Sequence, residues 1–300
     1  MNTNQILLVC AALIPAIVLC VYIFIKDRVE KEPIGLLLLL LVLGVVSCFP
    51  AAEIEDLLIG LIDDIFVNFG TVTPGGVVLG DFAYKLYIAV KYFIGVALVE
   101  EGFKFLFMFF VTRNNKNFNS LFDGIIYSVF VSLGFAAYEN VLYVLEYGWT
   151  TAIMRALMSV PGHMFFAVIM GYYYSLWHMT CKARDIERDL KSKALISTVA
   201  PEFSGTHYMV MCLLMPTLAH GLYDYCCSVG TTFGTIFLYI FVLFLYIYCF
   251  AKIRNFSKND TSDTAFANFM VLKKYPLLAQ AYNNYLIKNG NAPINFQDTQ

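Results

Sequence analysis

Charge is what this chain has least of. Only 14% of its 300 residues are Asp, Glu, Lys or Arg, against 59% hydrophobic. Soluble domains carry about 25% charged residues, so a water-facing surface is excluded over most of the chain and an integral membrane protein is implied. The apolar runs are about 20 residues long, the length of a membrane-spanning helix and not of a barrel strand. The eight cysteines lie within or beside those runs without metal-type spacing, which points to small hydrophobes and away from a disulfide frame or a cysteine zinc site. There is no basic leader with a small-residue cleavage site, so residues 5–25 are expected as a retained first span. Nor is there an internal repeat or a glycine-rich nucleotide loop, and no nucleic-acid partner is expected.

What is present reads as an all-α polytopic bundle of about seven transmembrane helices, near 5–25, 34–52, 83–111, 121–145, 154–179, 207–228 and 232–251. The basic residues orient it. Of 20 Lys and Arg, three lie in 26–32, two in 113–120, five in 180–195 and six after 251, while 53–82, 146–153 and 229–231 hold none. The positive-inside rule then puts the N-terminus outside and the C-terminus in the cytoplasm. Residues 1–251 are expected as the membrane domain and 252–300 as a polar cytoplasmic tail with a helix around 261–287. In the long outer connection 53–82, Glu53, Glu55, Asp56, Asp63 and Asp64 interleave with apolar residues. That pattern predicts an amphipathic helix on the outer membrane surface, a tether or a lid, broken by Thr73-Pro74-Gly75-Gly76.

The few charges inside spans carry the function. Each costs about 2.5–3.5 kcal/mol at a bilayer centre by insertion scales, so each must face protein, water or a metal. Glu100 and Lys104 share a helix face and can neutralise one another. Glu101 points elsewhere and needs a partner from another helix. Other spans supply Glu139-Asn140, Arg155 and His163, and His220 with Asp224 one turn later. At about 1.5 Å per residue, Glu100 and His220 lie roughly 18–20 Å from the cytoplasmic ends of their helices, Glu139 and His163 roughly 24–27 Å. All four fall in the outer half of a core about 30 Å thick, the condition for a single intramembrane site. Lys85 is expected to snorkel outward, and Lys91 and Arg155 to be ion-pair or interface residues.

Carboxylates and histidines without a nucleophilic serine or cysteine suggest an activated water. A glutamate can act as general base, and histidines can orient the water, bind a metal or donate to an oxyanion. Two histidines plus a glutamate, Glu101, His163 and His220, make an acceptable ligand set for Zn2+. The H-E-x-x-H signature is absent, and a metal-free glutamate mechanism stays open beside the zinc one.

The ordered motifs are more specific than any one of them. E-E-x-x-K at Glu100–Lys104, F-x-x-x-E-N at Phe135–Asn140, a histidine after Pro161-Gly162, and H-G-L-Y-D at His220–Asp224 resemble the PrsW family of intramembrane proteases. The opening Asp27-Arg28-Val29-Glu30-Lys31-Glu32-Pro33 is also similar to that family's. The wider group of CAAX prenyl endoproteases and bacteriocin-processing enzymes is related, but it typically has histidine where this chain has Glu139 and asparagine near Asp224. The resemblance implies a bacterial cell-membrane metalloprotease acting near the outer face on a single-span membrane protein, such as an anti-sigma factor. It implies Glu100 as the base, Glu101 as its partner or a ligand, and Lys104 as charge compensation. It further implies Glu139, His163 and His220 as ligands or water-orienting groups, with Asp224 supporting His220. A non-catalytic scaffold or receptor of the same fold, or a CAAX-type endoprotease, is the alternative.

Overall fold

A computed structural model of the chain describes residues 2–28, 30–73 and 76–295; Val29, Pro74 and Gly75 of the motifs above lie outside them. Helix α1 (Thr3–Lys26) starts at a capping box in which Asn2 and Gln5 bond each other's backbone amides. Pro33 opens α2 (Ile34–Val67). A two-stranded hairpin follows, β1 (Thr71–Thr73) antiparallel to β2 (Gly76–Val78). The chain then runs through α3 (Asp81–Val90), a π-helical segment (Lys91–Ala97) and α4 (Leu98–Thr112) without leaving helical geometry. Then come α5 (Asp123–Tyr147), α6 (Trp149–Leu157), α7 (Ser159–Ser192), α8 (Thr206–Ser228) and α9 (Thr232–Lys258). Helices α10 (Asp263–Lys274) and α11 (Pro276–Lys288) form the tail.

Helices α1, α2, α5, α9 and the α6–α7 run are long and apolar enough to cross a membrane. The other two expected spans, Asp81–Thr112 and α8, are the ones loaded with polar residues, and the first is interrupted by the π segment. Helix α5 is the axis of the bundle. Its apolar window is 78% buried, against 28% for α1 and α9, whose outer faces are left for lipid. Small residues let α2 approach it: a Cβ on Gly134 would stand 2.1 Å from the carbonyl oxygen of Leu41.

The ends sort as the loop charges predict. Asn119 Nδ2 donates to Glu30 Oε2 at 2.9 Å, the Phe122 amide to Asp260 Oδ1 at 3.0 Å, and Ser257 Oγ to the Lys26 carbonyl, so three basic connections meet at one end. At the other end the Trp149 indole donates to Asn4 Oδ1 at 3.1 Å. The expected surface helix in 53–82 is corrected: α2 continues unbroken through Pro50 to Val67, so residues 53–67 extend a spanning helix. The expected fifth span is also redrawn. Gly148, at φ 80°, turns the chain into short α6, and α7 starts afresh at Ser159, which puts Arg155 and His163 on different helices. The tail packs on the C-terminal extension of α7, at the end where the basic connections meet. There the Glu187 carboxylate accepts from the Phe203 amide at 2.9 Å, from Lys274 at 2.7 Å and from the Tyr275 hydroxyl.

Candidate active site

The wide turn Lys91–Ala97 shifts the phase of the helix that follows, and π segments of this kind recur at functional sites. Beyond it Glu100, Glu101 and Lys104 all point into the bundle, at 6%, 0% and 1% exposure. The facing position on α8 is Gly221, where a Cβ would meet the Phe93 ring at 2.7 Å. That close approach carries the preceding residue, His220, into the site.

Lys104 is the hub. Its ammonium donates to Glu100 Oε2 at 2.9 Å, Glu101 Oε1 at 2.8 Å and His163 Nδ1 at 3.2 Å, and lies 4.1 Å from the centre of the Phe135 ring. The expectation that Glu101 lacks a partner on its own helix is therefore corrected: at i,i+3 the flexible lysine reaches both carboxylates. Glu101 Oε1 also faces His220 Nδ1 at 3.0 Å, the interhelical histidine contact expected of it. Glu101 Oε2 is buried without a hydrogen-bond partner.

The two histidines are held differently. An ammonium has only protons to offer, so His163 Nδ1 accepts and its proton resides on Nε2, which donates to Glu139 Oε2 at 3.0 Å. Glu139 pairs with Arg155 at 3.0 Å as well, and Arg155 Nε donates to Asn140 Oδ1 at 3.0 Å. Asn140 in turn donates to the Ala12 carbonyl at 2.8 Å, tying this arm of the site to α1. His220 has a carboxylate at each ring nitrogen, Glu101 at Nδ1 and Asp224 at 3.3 Å from Nε2. Its ring stacks on Phe166, 4.9 Å between centroids, and stands edge-on to His163 at 5.2 Å.

All six candidate residues thus meet: Glu100, Glu101, His163 and His220 in the buried floor, Glu139 and Asp224 on its two flanks. One ligand atom from each of the four floor residues lies within 4.8 Å of all the others, a group able to hold a metal ion. Above them opens a cavity of about 730 Å³ whose wall includes Glu55, Lys91, Tyr138, Tyr143, Arg155 and Tyr223. Glu55 is the residue that sequence reasoning misplaced. It was assigned to a surface connection, yet it follows Cys48 by seven positions and shares the cavity face with Cys48, Ala52 and Ile59. Extending the second span through Pro50 would have found it. Lys85 pairs outward with Asp81 at 2.7 Å, and Lys91 donates to Tyr87 at 3.2 Å.

Comparison with known proteins identifies the family. The family model for PrsW family intramembrane metalloproteases matches residues 32–250. Protease PrsW of Geobacillus kaustophilus is 30% identical over 82% of this chain and 91% of its own length. The Clostridioides difficile Protease PrsW is 28% identical over 88% and 96%, and that of Bacillus subtilis 29% over 73% and 81%. No solved structure matches the chain. A match running from the start of α2 into α9, with three helices delivering acids and histidines to one buried floor, leads to one conclusion: the chain belongs to the PrsW family of intramembrane metalloproteases.

Proposed function

We propose that this peptidase cuts a single-span membrane protein near its outer face, an anti-sigma factor being the substrate class the family resemblance suggests, and that Glu101, His163 and His220 hold Zn2+. The observation that carries the reading is the buried Glu100–Glu101–His163–His220 group at the base of a cavity between membrane-spanning helices. The donor set fits a catalytic zinc ion: two imidazoles and the Glu101 carboxylate, whose Oε2 is buried and unpartnered, would hold it and leave Glu100 free. Charge supports it too. Four carboxylates, Glu100, Glu101, Glu139 and Asp224, face one ammonium and one guanidinium, so with neutral histidines two negative charges await compensation.

When bound, zinc would polarise the scissile carbonyl and acidify a water. The chain's own groups do the rest. Glu100, at the cavity edge of the floor, takes the proton of the attacking water and returns it to the leaving amine. Lys104 aims the Glu100 and Glu101 carboxylates through its hydrogen bonds at 2.9 and 2.8 Å. Glu139 fixes the tautomer of His163 and Asp224 holds the ring of His220, the supporting role that carboxylates play behind ligating histidines. Arg155 and Tyr143, whose guanidinium and ring lie 4.2 Å apart at the wall, are placed to accept the substrate backbone.

The test is cleavage of a co-expressed single-span anti-sigma factor. Glu100→Gln and His220→Ala are each expected to abolish the cut while the protein still inserts and accumulates. Normal cleavage by both variants would overturn the assignment.

A further inference from the structure

One acid on the cavity wall has no part in the chemistry derived above. Glu55 stands on the stretch of α2 beyond Pro50, on the face that Cys48, Ala52 and Ile59 turn to the cavity. Roughly 32 Å of helical rise separate it from Ile34, which puts it toward the end of the bundle away from the basic connections. The other acids of that stretch are accounted for. Glu53, Asp56 and Asp64 are exposed. Asp63 is half-buried, and its Oδ1 accepts from the Tyr87 hydroxyl at 2.8 Å, to which Lys91 in turn donates at 3.2 Å. Glu55 is half-buried too, yet among the described residues it makes no hydrogen bond and no ion pair.

Its surroundings make that state unfavourable. Glu55 looks toward the floor, and the charge it feels most is that of Glu100, followed by Lys104 and Glu139. The cations there are committed, Lys104 to Glu100 and Glu101 at 2.9 and 2.8 Å, Arg155 to Glu139 at 3.0 Å. A zinc ion would compensate the two charges left over on the floor and still leave Glu55 without a counter-charge. A carboxylate crowded by carboxylates is stabilised by a cation brought to it, and here that cation has to arrive with the substrate. The wall suits such a side chain. Ala52, one turn before Glu55, leaves room, and Tyr138 borders the same cavity from its packing on Cys48, Ala51 and Phe135. Lysine and arginine lay their stems along apolar and aromatic surface while the head group reaches a carboxylate.

We propose that Glu55 is a specificity-determining residue, whose carboxylate binds a Lys or Arg side chain on the outer flank of the substrate's span. This rests on the peptidase reading given above, and assigns Glu55 to substrate selection and not to activating water. Topology makes the selection sharp. Lys and Arg gather on the cytoplasmic side of membrane spans and are sparse on the outer side, so a basic residue there marks few of the single-span proteins that share the bilayer. One charge-assisted hydrogen bond in a confined cavity suffices for a preference of about tenfold.

The test uses full-length protein in detergent with ZnCl2 and a purified single-span anti-sigma factor labelled with a fluorophore. The probe is made in three forms, with Lys, Gln or Glu at one position just outside its span, that position being moved along the flank. Binding is read by fluorescence anisotropy and cleavage by gel. At one flank position the Lys form is expected to bind about tenfold tighter than the Gln form, in wild type and in Glu100→Gln alike. The preference should vanish in Glu55→Gln and turn toward the Glu form in Glu55→Lys. Should Glu55→Lys fold poorly, the near-isosteric Glu55→Gln decides alone. The proposal falls if the three forms bind wild type equally at every position, or if Glu55→Gln keeps the Lys preference. It falls equally if Glu55→Gln slows cleavage of all three forms alike with the preference intact, which would mean that Glu55 moves protons for Glu100. Failure of the peptidase reading looks different: Glu100→Gln would cut as wild type does, or neither would cut, while the binding preference still reports on Glu55.

Discussion

Replacing Lys104 by methionine tests the architecture of the active site most directly. The side chain is 1% exposed and makes polar contacts at 2.9, 2.8 and 3.2 Å, so methionine fills the volume while removing the only lysine on that floor. Breaking a buried ion pair by deleting one partner costs about 3–5 kcal/mol, because the remaining charge stays buried. Here two carboxylates are orphaned together, Glu101 keeping only His220 and Glu100 only the distant His220 contact at 3.9 Å. The upper part of that range is therefore expected, a melting temperature lowered on the order of 10 °C, with cleavage lost. If the harm comes from uncompensated charge, adding Glu101→Gln should return much of the lost stability, a coupling of about 1–3 kcal/mol. Zinc should also protect the Lys104→Met protein more than wild type, since a cation would stand in for the missing ammonium. Fluorescence-detected melting of the four proteins, with and without zinc, decides it. A Lys104→Met protein that melts within about 1 °C of wild type, or a double variant no better than the single, would refute the charge argument.

Three further outcomes follow from other contacts. Gly134→Ala would place a methyl 2.1 Å from the Leu41 carbonyl oxygen, forcing α2 off α5. An overpacking cost of about 1–3 kcal/mol should appear in melting, with cleavage reduced because the next residue, Phe135, backs Lys104. Asn140→Ala frees the Ala12 carbonyl and Arg155 Nε, costing about 1–2 kcal/mol, and should lower kcat with little change in KM if Arg155 no longer steadies Glu139. Glu32 should also make stability depend on pH. Its folded-state value near 8 exceeds the ordinary 4.5, so its contribution is full below about 4.5 and is lost as pH rises through about 8. Asp27, Asp123, Asp260, Lys31 and the Tyr127 hydroxyl face the same spot. Glu32→Gln should flatten the melting profile across that window, and an unchanged slope would exclude the effect.

The parts of this molecule that were legible in sequence are those governed by one-dimensional rules. Loop charges alternate because of the positive-inside rule, and helices of fixed rise made it possible to compare depths and gather Glu100, Glu139, His163 and His220 before any coordinates. What stayed hidden depends on the third dimension. The reach of a lysine side chain to both i−3 and i−4 let Lys104 serve two acids at once. The break at Met158 separated Arg155 from His163; Pro161, which suits the first turn of a new helix and not the interior of a continuous one, was the signal for it. Glu55 was lost because a proline and five acids look like the end of a span. In the folded chain that polar stretch continues the helix and turns Glu55 toward a cavity instead of toward lipid. The cytoplasmic acids escaped for the opposite reason: each looks ordinary in its own loop, and only folding brings Asp27, Asp123 and Asp260 together.

The two acid-rich sites are not independent, because one helix carries part of each. Asp123 and Glu139 both lie on α5, 16 residues and roughly 24 Å apart along its axis. Glu139 sets the tautomer of His163 by a single 3.0 Å contact, so a small axial shift of α5 would weaken it. Close packing resists such a shift where Gly134 meets α2, but the cytoplasmic end depends on how Asp123, Asp27 and Glu32 tolerate one another. Relieving that crowding would change how firmly the end of α5 is held and with it the Glu139–His163 contact. The consequence is measurable. Glu32→Gln should change kcat for substrate cleavage with KM little changed, because the substitution acts on the alignment of the floor and not on the cavity wall. An unchanged kcat would mean that α5 is held by packing alone and that the two ends of the molecule do not communicate.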